Sequence, residues 1–299
     1  MAPVVAQLLS FRALLAILLG LVAVAASVTA ILRRRWAIAA GIAIVLGAAS
    51  VANGAILVAR GGEDAMDDGD LTVVAWNTQG GAASPESIAE LVREADAHIV
   101  SLPETNEYAA AEAAALLAAD GRVMSAFTTY GERGDSQVPT SVLISDSLGE
   151  YRLDPAAGST PSLPSAVWES VDGSGPRIVA AHPIPPFPGT MGDWRRGLAW
   201  VADQCDAPDV IVAGDLNATV DHLSGVSGGE LVGECRDAAA EAGAAATGTW
   251  PTNVPAWLAA PIDHVLVGSA WTVRGVEVVT SYDDAGSDHR PIVAMLDAR

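Results

Sequence analysis

The sequence predicts an α/β fold that follows an N-terminal transmembrane helical hairpin. Two long apolar runs without any acidic residue fill residues 1–60. From residue 71 onward, short apolar segments that favour strands alternate with longer segments that favour helices. The chain has 299 residues, of which 51% are hydrophobic, so it can form a substantial core. We therefore expect a hairpin at 1–60, an acidic linker at 61–70 and one α/β domain over 71–299.

The two apolar runs cover about residues 13–32 and 37–59. Each is long enough to cross a hydrocarbon core of about 30 Å as a helix. A cleaved signal peptide would explain the first run alone, but the second run follows it directly and favours two membrane helices. A buried helical hairpin of a soluble protein is the remaining alternative.

The basic triplet Arg33-Arg34-Arg35 lies between the two runs. Short cytoplasmic loops carry the excess of basic residues, so this triplet predicts that both chain ends lie outside the cytoplasm. We expect a multi-pass protein of the cell membrane that contacts the lipid bilayer through its hairpin and has an extracytoplasmic C-terminal domain.

The chain beyond the hairpin is strongly acidic. Residues 61–299 contain 11 arginines, no lysine and 36 acidic residues, a formal charge of −25. Such a surface repels polyphosphate backbones unless a metal ion or a local arginine patch intervenes. Nucleic acid is therefore the less expected partner.

Cys205 and Cys235 are the only cysteines. In an oxidising compartment they could form a disulfide that stabilises the fold by roughly 3 kcal/mol. Two buried free thiols fit the sequence equally well. Neither residue belongs to a C-x-x-C pair, so the spacing does not indicate zinc.

The α/β part follows from a series of apolar segments bounded by turn residues. Strands are expected at 71–76, 97–102, 140–145, 166–170, 177–182, 209–214, 262–267, 273–280 and 291–296. Helices are expected at 84–93, at about 107–119 and at 194–203, the first with Pro85 in its first turn. Proline-rich 183–188 and Gly/Ser-rich 224–229 are expected to be loops.

Polar residues of the kinds used in catalysis lie at the ends of several expected strands. They are Asn77, Glu104, His182, Asp215, Asn217, Asp263, Asp288 and His289. Each alone has a structural explanation, as an Asp-x-Asn sequence after a strand commonly forms an Asx turn. Functional sites of α/β scaffolds gather at strand ends, where loops converge. The ordered set therefore predicts a site.

This ordered set resembles the endonuclease/exonuclease/phosphatase family. The matching segments are Trp76-Asn77, Leu102-Pro103-Glu104, Ala181-His182, Gly214-Asp215-Leu216-Asn217, Ile262-Asp263-His264 and Ser287-Asp288-His289-Arg290-Pro291. Thr249-Trp250-Pro251 is also similar, and the match covers almost all of residues 71–299. The resemblance implies a four-layer α/β/β/α sandwich and metal-dependent hydrolysis of phosphate esters.

The resemblance also implies a metal site and catalytic roles. Glu104 would be the main ligand of Mg²⁺, or alternatively Mn²⁺, because these hard cations prefer oxygen ligands. Asn77 would lie in or beside the metal shell, and Asp288 would be the other carboxylate near it.

The expected catalytic roles follow in the same way. His289 would contact the scissile phosphate, with its ring oriented by Asp263. His182 would donate a proton or a hydrogen bond to a phosphoryl oxygen. Asp215 would orient or deprotonate the attacking water, and Asn217 would donate to the developing negative charge.

Four further residues are less distinctive. Arg195 and Arg196 form a local basic pair suited to bidentate phosphate contacts, although an exposed helix face explains them equally well. His222 and His264 are expected to be structural.

The expected position of the site, outside the cytoplasm and close to a bilayer, favours a lipid phosphate or pyrophosphate as substrate. A membrane-tethered extracellular nuclease is the enzymatic alternative, and a non-catalytic binding module on the same scaffold is the other.

Overall fold

The computed structural model describes residues 2–33, 36–62, 67–131, 138–227 and 232–299. It begins with three helices, α1 (Pro3–Ser10), α2 (Arg12–Arg33) and α3 (Trp36–Arg60). The second and third match the two expected helices to within a residue, whereas α1 was not expected as a separate element. Residues 34–35 of the basic triplet and 63–66 of the expected linker lie outside the described residues.

Helices α2 and α3 form an antiparallel hairpin. The Ser50 hydroxyl donates to the Ala16 carbonyl at 2.7 Å, and the Arg12 guanidinium donates to the Asn53 side chain at 2.7 Å. By length and composition both helices could cross a membrane, with mean hydropathies of 2.7 and 2.2. Only 11% of the first span and none of the second is buried, which does not fit the core of a soluble protein.

Two six-stranded sheets form the centre of the domain. The first contains β1 (Leu71–Ala75), β2 (Ile99–Pro103), β3 (Met124–Thr129), β4 (Thr140–Ser145), β11 (Trp271–Val278) and β12 (Ile292–Ala298). The second contains β5 (Tyr151–Leu153), β6 (Ala166–Ser170), β7 (Ile178–Ala181), β8 (Ile211–Asp215), β9 (Arg236–Asp237) and β10 (Asp263–Val267). Their orders are β11-β12-β1-β2-β4-β3 and β5-β6-β7-β8-β10-β9.

Helices cover the outer faces of both sheets. Helices α4 (Pro85–Glu94) and α5 (Glu107–Ala119) pack on the first sheet, and α6 (Met191–Gln204) and α7 (Val220–Ser227) pack on the second. The short α8 (Ala238–Ala242) contributes to the core between the sheets. These layers confirm the expected four-layer α/β/β/α sandwich.

Strand alternation explains the three apolar cores. In β1, Val73 points into the space between the sheets and Val74 points outward to the helices. In β8, Ile211 points inward and Val212 outward in the same way. Because the central strands β1, β7 and β8 are covered on both faces, they are almost continuously apolar.

The strand register brings the polar strand ends to one edge. Ala181 of β7 lies beside Gly214 in parallel β8, and Asp263 of antiparallel β10 lies beside Asp215. Gly214 has a φ of +149°, and a Cβ there would lie 2.0 Å from the Ala181 carbonyl oxygen. Only glycine permits this close approach of β7 and β8 immediately before Asp215.

Three local findings differ from or complete the sequence expectations. The prediction of a loop at 224–229 is wrong for residues 224–227, which belong to helix α7 (Val220–Ser227). Residues 228–229 lie outside the described part of the chain. Strands β3, β5 and β9 were not expected. Cys205, which follows α6, forms a disulfide with Cys235.

Candidate active site

A cavity of about 320 Å³ opens at the edge where the strands of both sheets end. Parallel β1 and β2 carry Asn77 and Glu104 to it, and the second sheet carries His182 and Asp215. The expected site residues that line this cavity are Asn77, Glu104, His182, Asp215, Asn217, Asp288 and His289. Gln7, Ser10 and Phe11 from the N-terminal segment complete its wall.

Asp263 and His289 form a buried carboxylate–imidazole pair. His289 Nδ1 lies 2.8 Å from Asp263 Oδ2, which leaves Nε2 directed to Asp215 and Asp288, 3.9 Å from an oxygen of each. Burial alone would lower the pKa of His289, but the negative charge and hydrogen bond of Asp263 outweigh it and raise that pKa to about 9. The ring is therefore an imidazolium at neutral pH.

Asp215 is buried and accepts hydrogen bonds at both oxygens. Its Oδ1 accepts from the Asn217 backbone N–H at 2.8 Å, and its Oδ2 accepts from Asn77 Nδ2 at 3.0 Å. Burial and the nearby charge of Asp263 raise the pKa of Asp215, while His289 and these donors oppose the rise. The carboxyl group is poised to gain or lose a proton near neutral pH.

His182 faces two carboxylates from the end of β7. Its Nε2 lies 3.8 Å from Asp215 Oδ2 and 3.9 Å from Glu104 Oε1. Its Nδ1 is buried with no hydrogen-bond partner among the described residues. Burial, followed by the charge of His289, lowers the pKa of His182 to about 3, so the ring is neutral.

Glu104 has an unusual backbone conformation, with a φ of +63°. Gln79 and Asn217, which also line the cavity, have positive φ values of 52° and 47°. Left-handed conformations of residues other than glycine cluster at functional sites, where surrounding structure maintains them. Glu104 Oε1 accepts from Asn77 Nδ2 at 3.1 Å, and its side chain is 27% exposed to the cavity.

Asn77 is oriented as a donor to the carboxylates. Its Oδ1 accepts from the Gln79 backbone N–H at 2.9 Å, which fixes the amide because a backbone N–H can only donate. The NH₂ group therefore faces Glu104 and Asp215. In this orientation Asn77 is a donor that orients two carboxylates.

Asp288 is held by two residues for which the sequence analysis proposed no role. Trp250 Nε1 donates to Asp288 Oδ2 at 2.9 Å, and the Asp288 backbone N–H donates to Gln79 Oε1 at 3.0 Å. The Trp250 ring centroid lies 5.8 Å from that of Phe11 and 6.3 Å from that of His289. The Trp250-Pro251 similarity was a usable signal, whereas nothing in the local sequence around Gln79 indicated its contact.

The donor set of the cavity fits a divalent cation. The carboxylates of Glu104, Asp215 and Asp288 line it, and no arginine is present among its described lining residues. A phosphate group would be repelled from these three carboxylates unless a cation lay between them, and hard cations such as Mg²⁺ and Mn²⁺ prefer such oxygens.

A second grouping of possible ligand atoms also exists. Among the described residues, one atom each of Asp215, Asp263 and His289 lies within 4.8 Å of the others. The Asp263–His289 hydrogen bond accounts for part of this proximity and occupies Nδ1.

The remaining expected residues lie away from the cavity. Arg195 and Arg196 are on the exposed face of α6, because Trp194 and Leu198 are directed into the core, and Arg196 pairs with Asp193. The structure does not bring this basic pair to the site.

His222 and His264 are both buried, as expected of structural histidines. Alternation along β10 turns His264 away from Asp263 and towards Asp237.

The fold and the cluster of carboxylates and histidines define a class of hydrolases that act on phosphodiester bonds. A model of the "Endonuclease/Exonuclease/phosphatase family" matches residues 74–289. The chain belongs to this family.

Solved structures agree on the fold. An endonuclease/exonuclease/phosphatase from Beutenbergia cavernae is 21% identical, with a TM-score of 0.56, over 77% of this chain and 72% of that chain. One from Bacteroides vulgatus is 15% identical, with a TM-score of 0.56, over 77% and 99%. D. rerio TDP2 complexed with a single-strand DNA product is 16% identical, with a TM-score of 0.54, over 76% and 98%. No curated protein matches the sequence significantly.

Proposed function

We propose that the protein is a membrane-anchored, divalent-metal-dependent phosphoesterase that hydrolyses a membrane-associated lipid phosphate or pyrophosphate outside the cytoplasm. The observation that carries the catalytic part is one cavity lined by three carboxylates, those of Glu104, Asp215 and Asp288. The same cavity contains His289, whose Nδ1 lies 2.8 Å from Asp263 Oδ2. Such a set can bind a cation, activate water and neutralise a phosphate.

Glu104 and Asp288 would hold Mg²⁺ or Mn²⁺. When bound, the cation would polarise the phosphoryl group and offset the negative charge of the cavity. It would also favour the ionised form of Asp215, since a nearby positive charge lowers the pKa of a carboxyl group.

Each histidine and its neighbours then have a distinct task. The His289 imidazolium donates from Nε2 to a phosphoryl oxygen, and Asp263 keeps Nδ1–H engaged so that the ring cannot turn. Asp215, held by Asn77 and Asn217, accepts the proton of the attacking water. Neutral His182 offers a ring nitrogen to the same region.

The proposed membrane anchoring is supported by how the hairpin docks on the domain. Asp221 of α7 accepts from Arg12 at 3.1 and 2.6 Å and from Arg60 at 2.8 and 2.6 Å. These arginines lie at the first residue of α2 and the last residue of α3, so the open end of the hairpin is fixed to the domain. The domain would then lie directly on the bilayer.

Two exposed aromatic residues flank this junction. Phe187 is 56% exposed beside α1 and α2, and Trp257 is 59% exposed beside Ala13 and Leu57. Aromatic side chains are enriched where membrane proteins meet the headgroup region. The Cys205–Cys235 disulfide supports an oxidising, extracytoplasmic location.

A nuclease is the second candidate, because a structural relative was solved with a DNA product. The formal charge of −25 over residues 61–299 argues against it, since nucleic-acid affinity depends on neutralising phosphates with basic residues.

The test is to assay the full chain in lipid nanodiscs with Mg²⁺ against phosphatidate, a prenyl pyrophosphate, plasmid DNA and bis(4-nitrophenyl) phosphate. We expect turnover of a lipid ester and of the generic diester. Rapid DNA cleavage without lipid turnover would favour the nuclease, and no turnover of any ester would favour a binding module.

Glu104→Gln should lower kcat about 100-fold or more, because it removes a charged ligand while preserving shape. Glu112→Gln is the matched control, because Glu112 is exposed on α5 and does not line the cavity. Equal rates for both variants would contradict the metal assignment.

A further inference from the structure

An apolar groove of about 470 Å³ runs along the N-terminal segment next to the catalytic cavity. Its walls are α1, the first turns of α2 and the proline-rich segment 186–188. Val4, Leu8 and Phe187, which line it, are 69%, 45% and 56% exposed. Gln7 is the one polar side chain among its described lining residues. Exposed apolar surface of this kind marks a place where a protein contacts a membrane, a ligand or another protein.

The groove adjoins the catalytic cavity. Gln7, Phe11, Pro186 and Phe187 line both spaces. At its other end the groove is lined by Leu14, Leu15 and Leu18, in the first turns of the helix that could cross a membrane. The groove therefore lies between the catalytic cavity and the depth at which the acyl chains of a bilayer would begin.

The groove is also held in a fixed shape. Gln7 Nε2 donates to the Pro186 carbonyl at 3.4 Å, and the Phe11 ring contacts Trp250. The Ala6 carbonyl accepts from His222 Nε2 at 3.2 Å, and Ala6 is fully buried. Because these contacts fix α1 on the domain, a ligand would not have to order the groove on binding.

We propose that this groove binds the hydrocarbon chain of a phosphorylated lipid whose phosphate occupies the catalytic cavity. The inference rests on the proposed function, since it assigns the tail subsite of the same substrate. A hydrocarbon chain fits because the groove is apolar, opens beside a membrane-spanning helix and ends at a site built for a phosphate and its cation. Among the described residues, the walls of the groove contain no charged side chain of the kind that a nucleic acid or an acidic peptide would require.

The first experiment fills the groove without adding a polar group. Leu8→Trp places bulk in it, and Val5→Trp is the matched control, since Val5 has the same 45% exposure on the same helix but does not line the groove. The full chain in nanodiscs is assayed with dioleoyl phosphatidate and with short-chain, water-soluble dibutyryl phosphatidate. The ratio of kcat/KM for the long chain to that for the short chain should fall at least tenfold in Leu8→Trp and stay within twofold in Val5→Trp. An equal ratio in the two variants overturns the proposal.

The second experiment does not depend on turnover. Phosphatidate with a diazirine in its acyl chain is photolysed with the full chain carrying Glu104→Gln, and labelled peptides are mapped. Labelling concentrated in residues 3–18 and 186–188, and reduced by Leu8→Trp, supports the groove. Labelling spread evenly over the outer faces of α2 and α3, as with a diacylglycerol probe, overturns it. If no ester is hydrolysed in any assay, the proposed function fails and this labelling alone decides whether the groove binds lipid.

Discussion

Asp263→Asn is the sharpest test of how the site handles charge. Asp263 Oδ2 accepts from His289, while Oδ1 is buried without a partner among the described residues, so an amide can keep the oxygen toward the ring. The substitution then removes the negative charge while keeping the hydrogen bond that orients the His289 ring. The pKa of His289, raised to about 9, should fall toward its ordinary value of 6.5.

The size of the effect follows from these two values. At pH 7.5 and before a cation binds, a pKa of 9 keeps roughly 97% of the His289 rings protonated and a pKa of 6.5 only roughly 9%. The two values differ by about 3.4 kcal/mol in the free energy of protonation, and a bound cation would reduce this difference. If the imidazolium is the form that stabilises the phosphoryl charge, kcat/KM at pH 7.5 should fall at least tenfold.

The assay is a pH–rate profile with bis(4-nitrophenyl) phosphate and saturating Mg²⁺. The loss of kcat/KM in Asp263→Asn should shrink toward pH 6, because His289 of the variant is protonated again there. The alkaline limb of the variant's pH–rate profile should therefore lie at lower pH than that of the parent. Asp237→Asn is the matched control, because Asp237 is a buried carboxylate that pairs with His264 away from the cavity. A loss for Asp263→Asn that is the same at every pH, or no loss, would refute the reasoning.

Three further predictions concern stability and docking. Replacing both Cys205 and Cys235 by alanine should lower the free energy of unfolding by about 3 kcal/mol in denaturant titrations, and a reductant should then destabilise only the parent. His264 has a hydrogen-bond acceptor at each ring nitrogen. Burial alone would lower its pKa, but Asp237 outweighs burial and raises it. The contribution of His264 to the free energy of unfolding is therefore complete below pH 6.5 and is lost as pH rises through the raised pKa. Burial lowers the pKa of His222, whose Nδ1 accepts from a backbone N–H, so its contribution is present above pH 6.5 and falls below it. The unfolding free energies of His264→Gln and His222→Gln, measured against the parent from pH 5 to 9, should therefore change with opposite slopes, and slopes of the same sign would contradict this account. Asp221→Asn should leave Arg12 and Arg60 without their shared carboxylate and speed hydrogen exchange in the last turn of α3 at least tenfold, whereas unchanged exchange there would show that these ion pairs do not fix the open end of the hairpin.

The strands that carry the site could be predicted because each is a short, mainly apolar segment with a polar residue at or next to one end. This pattern located β1, β2, β7, β8 and β10 to within two residues. Edge strand β3 escaped prediction because half-buried and exposed side chains follow its first residue, so its sequence lacks an apolar signal. Helix α1 escaped because its composition merges with that of the following span.

The identities of the site residues could be predicted better than their contacts. Asp263 begins β10 of the second sheet and His289 precedes β12 of the first, so their contact depends on how the two sheets pack, and before the structure only the family resemblance implied it. The donor orientation of Asn77 depends on the backbone N–H of Gln79, which no sequence pattern encodes. Arg195 and Arg196 do not line the cavity, because helix phase places both on the outer face of α6.

The contact between Phe11 and Trp250 makes the N-terminal segment part of the catalytic site. Phe11, just before the first long apolar helix, packs against the Trp250 indole, and that indole donates a hydrogen bond to the Asp288 carboxylate. Removing residues 1–60 to obtain a soluble domain would also remove Gln7, Ser10 and Phe11 from the cavity wall. A truncated protein would have a wider, more hydrated site, and its substrate preferences would not be those of the full chain.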